Sequence, residues 1–158
     1  MGVMKVDIRE LKRLRDRLVE AEEGKKKDEF CEDCARELAA RLIRLVKNRT
    51  GVVTGELRRG WTAGKEIAPE IYVKGVAVYK SGETYTITVE NNVEYALYYE
   101  YGHRQEPGRF VPAIGKRLVK SYVEPKYALK YSEQDLESLA PGVLYQKLET
   151  FLREVFDG

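Results

Sequence analysis

Val89-Glu90-Asn91-Asn92-Val93-Glu94-Tyr95-Ala96-Leu97-Tyr98-Tyr99-Glu100-Tyr101-Gly102-His103-Arg104 is the stretch around which this 158-residue chain is organised. It reads as a strand entering a paired-Asn turn, after which tyrosines 95, 98, 99 and 101 crowd together. Two carboxylates, Glu94 and Glu100, are interleaved, and Gly102-His103-Arg104 forms the exit. Rings with a polar tip suit a surface that is covered yet still hydrogen-bonded, and protein contact patches favour them. His103 is the only histidine, and no Ser or Cys nucleophile stands in a recognisable setting. Without a nucleophile beside a base, the stretch points to contact and not to catalysis.

Upstream, residues 70–102 read as β-rich. Ile71-Tyr72-Val73 and Val76-Ala77-Val78-Tyr79 carry strand-forming residues around Gly75, and Lys80-Ser81-Gly82-Glu83 reads as a hairpin turn. Tyr85, Ile87 and Val89 then alternate with Thr84, Thr86 and Thr88, the period of a half-buried strand. Before them, Thr54-Gly55-Glu56-Leu57-Arg58-Arg59-Gly60-Trp61 fits a single helical turn. Thr54 would cap it, with Leu57 and Trp61 inward and Arg58 and Arg59 outward. Arginines at a helix start attract anions, but the Gly-Lys-Ser/Thr of a phosphate loop is missing.

Two helices precede this region. Residues 7–23 form a charged amphipathic helix, capped by Asp7, with Ile8, Leu11, Leu14 and Leu18 on one stripe. Gly24 and Lys25-Lys26-Lys27 read as a solvated linker. Residues 28–48 form the main core helix, capped by Asp28, with Phe30, Cys34, Leu38, Leu42 and Leu45 inward. Cys31 and Cys34 lie inside that helix, and with one distant His they lack partners for a metal site. They read as core residues. No metal or cofactor is expected.

Downstream, residues 104–120 hold two prolines, two glycines and little periodicity. They read as a long loop or an extended β-ribbon, and loops of this length are generally functional or disordered. Between Arg104 and Lys130 seven basic residues face two acidic ones. Tyr122-Val123-Glu124 reads as a closing strand. Residues 132–156 read as a C-terminal helical segment, with Ser132 and Asp135 as a capping box and Pro141-Gly142 as a break. From Ser132 onward six acids face two bases. The fold class expected is α+β, one domain over residues 1–158. Two N-terminal helices and a C-terminal helix would pack on a small, mostly antiparallel sheet.

The pattern Asn-Asn-Val-Glu-Tyr-Ala-x-Tyr-x-Glu-x-Gly-His-Arg over 91–104 resembles a small tail-component family of long-tailed phages and prophages, of the Hong Kong-type lambdoid group. Arg49-Thr50-Gly51-Val52-Val53-Thr54-Gly55-Glu56-Leu57-Arg58-Arg59-Gly60-Trp61 resembles that family's second block, with Gly51, Val53 and Gly60 in place of Pro, Asp and Ser. The resemblance implies a tail-completion or head–tail joining protein of the virion, made in the host bacterial cytoplasm. It implies a homo-oligomeric ring, a hexamer, bound to other phage neck and tail proteins.

Composition bounds the alternatives. A chain with 28 basic and 26 acidic residues has a net charge of only +2, which argues against a dedicated nucleic-acid binder. No apolar run approaches the roughly 20 residues of a membrane span, and the first residues lack the apolar core of a signal peptide. A small nucleic-acid-binding module using the basic loop is the competing reading, and weak non-specific DNA contact fits both. Candidate contact residues are Arg58, Arg59, Tyr98, Tyr101, His103, Arg104, Arg109, Phe110, Lys116 and Arg117. Tyr95 and Tyr99 are expected to serve the chain's own core.

Overall fold

The computed structural model describes residues 9–51, 55–112 and 115–157. Helix α1 (Arg9–Glu23) and helix α2 (Lys25–Arg49) are separated by Gly24 alone. The expected Asp7 cap and Ile8 lie outside the described residues. Lys25-Lys26-Lys27 is not a linker but the first turn of α2, because lysine is a good helix former and only Gly24 interrupts. Asp28 is therefore no cap. Its carboxylate accepts from Lys80 Nζ at 2.8 Å and from the Tyr85 hydroxyl at 2.5 Å.

The buried line along α2 is Ala39, Ala40, Ile43 and Val46, displaced from the expected line of Phe30, Cys34, Leu38, Leu42 and Leu45, which are half-buried. The cause is that α2 packs on two partners at once, α4 (Pro69–Lys74) and α6 (Ala128–Asp157). Small residues take the middle line, where neighbours approach closest, and the leucines flank it. Trp61, Val73 and Ala128 complete this core, with Tyr72, Ile87, Val89, Tyr99 and Leu129 packed against it. Cys31 and Cys34 are half-buried free thiols, and burial pushes the Cys34 thiol up from its ordinary value.

Ile71-Tyr72-Val73, expected as strand, lies in helix α4. Pro69 opens it and Gly75 closes it, and context overrides strand propensity here. The Arg36 guanidinium donates to the Val73 and Val76 carbonyls at 3.2 and 3.3 Å, satisfying that helix end from α2. Strands β1 (Tyr79–Ser81) and β2 (Thr84–Thr86) then form the expected antiparallel hairpin. Tyr85, Ile87 and Val89 are half-buried and the three threonines exposed.

Asp28 fastens this hairpin to α2. Hydrogen bonds from Lys80 and then Tyr85 hold the Asp28 carboxyl below its ordinary value, so the tie is complete above the usual Asp range near pH ~4 and weakens as pH falls below it. Asp28→Asn is expected to speed amide hydrogen exchange across residues 79–86 at neutral pH. Wild type should approach the variant's rates on acidification, once intrinsic exchange is corrected. Equal protection in both at neutral pH would show that the tie does not hold the hairpin.

The expected β-rich stretch ends at Thr86: residues 87–93 have no regular secondary structure, and Ala96–Tyr101 is helix α5. His103–Arg104 (β3) pairs antiparallel with Tyr122–Val123 (β6), and Phe110–Val111 (β4) with Lys116–Arg117 (β5). Between these pairs Gln105 N–H donates to Ser121 O, and Leu118 N–H to Arg109 O. The described residues of the long loop, 103–112 and 115–123, thus form one antiparallel arm. Among the described residues, the three strand pairs are all antiparallel and two-stranded.

The last helix departs from expectation at both ends of its first half. It starts at Ala128, and Ser132 lies buried inside it, donating to the Ala128 carbonyl at 2.6 Å. Asp135 pairs with Arg49 at 2.5 Å instead of capping. Pro141 sits within the helix without ending it. Proline removes one intrahelical donor, and packing on α2 holds the far half, where Val155 is buried and Phe151 stacks on Phe30.

Candidate assembly interface

The two quoted sequence blocks fold against each other. The Tyr99 hydroxyl donates to the Arg49 carbonyl at 3.0 Å and accepts from Gly51 N–H at 2.9 Å. Asn91 Nδ2 donates to the Leu57 carbonyl at 2.7 Å, while its Oδ1 accepts from Val93 N–H at 3.1 Å. A Cβ at Gly60 would stand 2.2 Å from Asn91 Oδ1, so glycine lets the blocks close. Trp61 Nε1 donates to Thr50 Oγ1 at 3.2 Å, and Leu57 and Trp61 are buried as expected. The Thr54 cap falls outside the described residues.

Glu100 is the residue whose role the sequence reading missed. Its buried carboxylate accepts from Leu129 N–H at 2.9 Å and Lys130 N–H at 3.0 Å, closing the open start of α6. A carboxylate at a helix start is also favoured by the helix dipole. Lys126 N–H to Tyr99 O and Tyr127 N–H to Glu100 O add a backbone seam. Helix α5 itself had a signal, since Tyr95 and Tyr99, and Leu97 and Tyr101, repeat at four-residue spacing.

The ten candidate residues divide into three groups. Arg58 and Arg59 are half-buried, not outward. Arg59 pairs with Glu66 at 3.6 Å. Burial, and then the nearby Arg58 charge, push the Lys47 ammonium below its ordinary value. On α5, Tyr98 and Tyr101 are exposed together with Leu97, at 55%, 64% and 69% of their surface. His103 is half-buried with its ring 4.9 Å from that of Tyr98. Its buried Nδ1 has no hydrogen-bond partner among the described residues. Arg104, Arg109, Phe110, Lys116 and Arg117 are all exposed along the arm, Phe110 at 50%. Tyr99 packs on the core and Tyr95 is half-buried.

Among the described residues no cluster of His, Cys, Asp or Glu could hold a metal ion, and no helix is long and apolar enough to cross a membrane. The arrangement offers a fixed scaffold that presents an aromatic helix face and a basic arm.

Comparison with protein families matches residues 12–102 to the family described as "Bacteriophage HK97-gp10, putative tail-component". No curated protein and no solved structure matches the chain. The matched span covers more than half of the sequence, contains the first block and all of the second except His103 and Arg104, and ends at Gly102. The chain belongs to the HK97-gp10-like family of bacteriophage tail components.

Proposed function

We propose that this phage tail protein acts as a tail-completion or head–tail joining component of the virion, by assembling into a homo-oligomeric ring that meets other neck and tail proteins. A hexamer is the ring size in this reading. The observation that carries it is the arm. Its cations Arg104, Arg109, Lys116, Arg117 and Lys120 are exposed and have no ion-pair partner among the described residues. An arm folded onto its own acidic helix would have consumed these charges. Phe110 adds an exposed ring, and α5 adds three more apolar side chains. Aromatic residues and arginine are what interface centres select.

Light-scattering mass after size exclusion, over a range of protein and salt concentrations, tests this. A multi-subunit species at low salt that falls apart by about 1 M salt is expected, since screening there shortens the reach of charge to roughly 3 Å. A monomer under all conditions would count against spontaneous ring formation. A monomer that binds DNA with a steep loss on adding salt would favour the nucleic-acid module instead.

A further inference from the structure

We infer that the arm docks into the groove between α2 and α6 of a second copy of this chain, an inference that rests on the ring reading above. The groove has a volume of about 580 Å³, within the size range that takes a drug-sized group. That is room for one aromatic ring with basic side chains around it. Its floor is the Phe30–Phe151 stack, with ring centroids 4.5 Å apart. Glu29, Asp33 and Glu37 line it from one face of α2, at spacings of four, and Glu154 from α6.

Three cations also line the groove, Lys26, Arg41 and Lys147, so the ion pairs decide which charges are available. Arg41 is tied to Glu37 at 2.9 Å. Asp33 and Glu154 are exposed and have no ion-pair partner among the described residues. Glu29 has only Lys25, at 3.7 Å with both side chains exposed, a contact of little weight. Lys26 and Lys147 likewise have no ion-pair partner among the described residues, so three available carboxylates stand against two lysines, and the groove keeps an aromatic floor with a slight anionic excess.

The arm is the inverse. Phe110 stands opposite Arg117 in the β4–β5 ladder, with Arg109 beside it and Lys116 one step further. Arg117 shares the face of the exposed Phe110 ring, while Arg109 and Lys116 alternate to the other face of the ribbon, and none of the three has an ion-pair partner among the described residues. No hydrogen bond or ion pair joins this part of the arm to the far half of the chain's own α6 among the described residues. Arm and groove are different patches, so pairing them between copies is heterologous, the kind of contact that closes into a ring when the rotation permits.

A charge-swap experiment on the full chain tests this. One variant carries Arg109→Glu, Lys116→Glu and Arg117→Glu; the other carries Glu29→Lys, Asp33→Lys and Glu154→Lys. All six positions are exposed, and far-UV circular dichroism with a melting curve checks that each variant folds. Sedimentation velocity should show each variant alone associating at least about 100-fold more weakly than wild type. The equimolar mixture should recover association, because every swapped arm then meets a swapped groove. Loss in the arm variant, with wild-type assembly in the groove variant and no rescue on mixing, would overturn the groove while leaving the ring intact. Wild-type assembly by both variants would overturn the arm contact, as would an arm variant that loses only retention on DNA. A wild-type chain that stays monomeric at every concentration would overturn the ring reading and this contact together.

Discussion

Gly102→Ala is expected to destabilise the fold by about 3 kcal/mol or more, lowering the melting temperature by roughly 10 °C in a chain of this size. Gly102 has φ +72° and ψ 173°, a backbone region nearly closed to other residues, which costs on the order of 1–3 kcal/mol to enter. The added Cβ would also stand 2.5 Å from the Val123 carbonyl oxygen and 2.9 Å from Pro125 N. Both are backbone atoms and cannot swing aside. Val123 is the ladder partner of His103, so the clash falls at the base of the arm. Gly82→Ala is the control: φ is +61°, yet nothing lies within 4 Å of its Cβ, and the loss should stay near ~1 kcal/mol. If thermal unfolding gives equal losses for the two, the close approach is not what requires glycine.

The second large effect is expected at Glu100. Truncation to alanine leaves the Leu129 and Lys130 donors without their carboxylate. Losing a cap costs about 0.5–2 kcal/mol, and hydrogen bonds to charged groups contribute about 1.5–3. We expect a net loss of about 2–3 kcal/mol for Glu100→Ala by urea denaturation. Glu100→Gln, which keeps an acceptor of the same reach, should lose about half as much. Amide exchange at Leu129 and Lys130 should rise in the alanine variant before the rest of α6 loosens. Unchanged protection at both amides would assign the start of the helix to other contacts.

These two residues also show where the sequence was legible. Short-range signals held. The apolar and threonine alternation over 84–89 reported the alternating burial, although only Thr84–Thr86 pairs as strand, and Thr-Gly-x-Leu-Arg correctly sent Leu57 and Trp61 inward. The existence and type of α2 were readable from its periodicity, but its start was placed three residues late, at Asp28 instead of Lys25. What failed depended on distant partners. Ser132 and Asp135 look like a local cap, but the start of α6 is held by a side chain 29 residues upstream of Leu129. Ile71-Tyr72-Val73 has strand composition, yet α2 supplies both the surface for Val73 and the Arg36 guanidinium for the helix end. The burial line of α2 shifted because it has two partners, which one helix's own pattern cannot report. The arm's charge was visible as a basic run. The groove was not, since Phe30 and Phe151 lie near opposite ends of the chain and only the fold stacks them.

The interlock of the two blocks has one more consequence, which concerns kinship. Tyr99, Asn91, Trp61 and Glu100 spend their chemistry on fastening this chain to itself. A signature built from such residues is a password for a scaffold. The matched span stops at Gly102, so the kinship rests on the part of the chain that fastens it to itself, and the arm and the whole of α6 lie outside it.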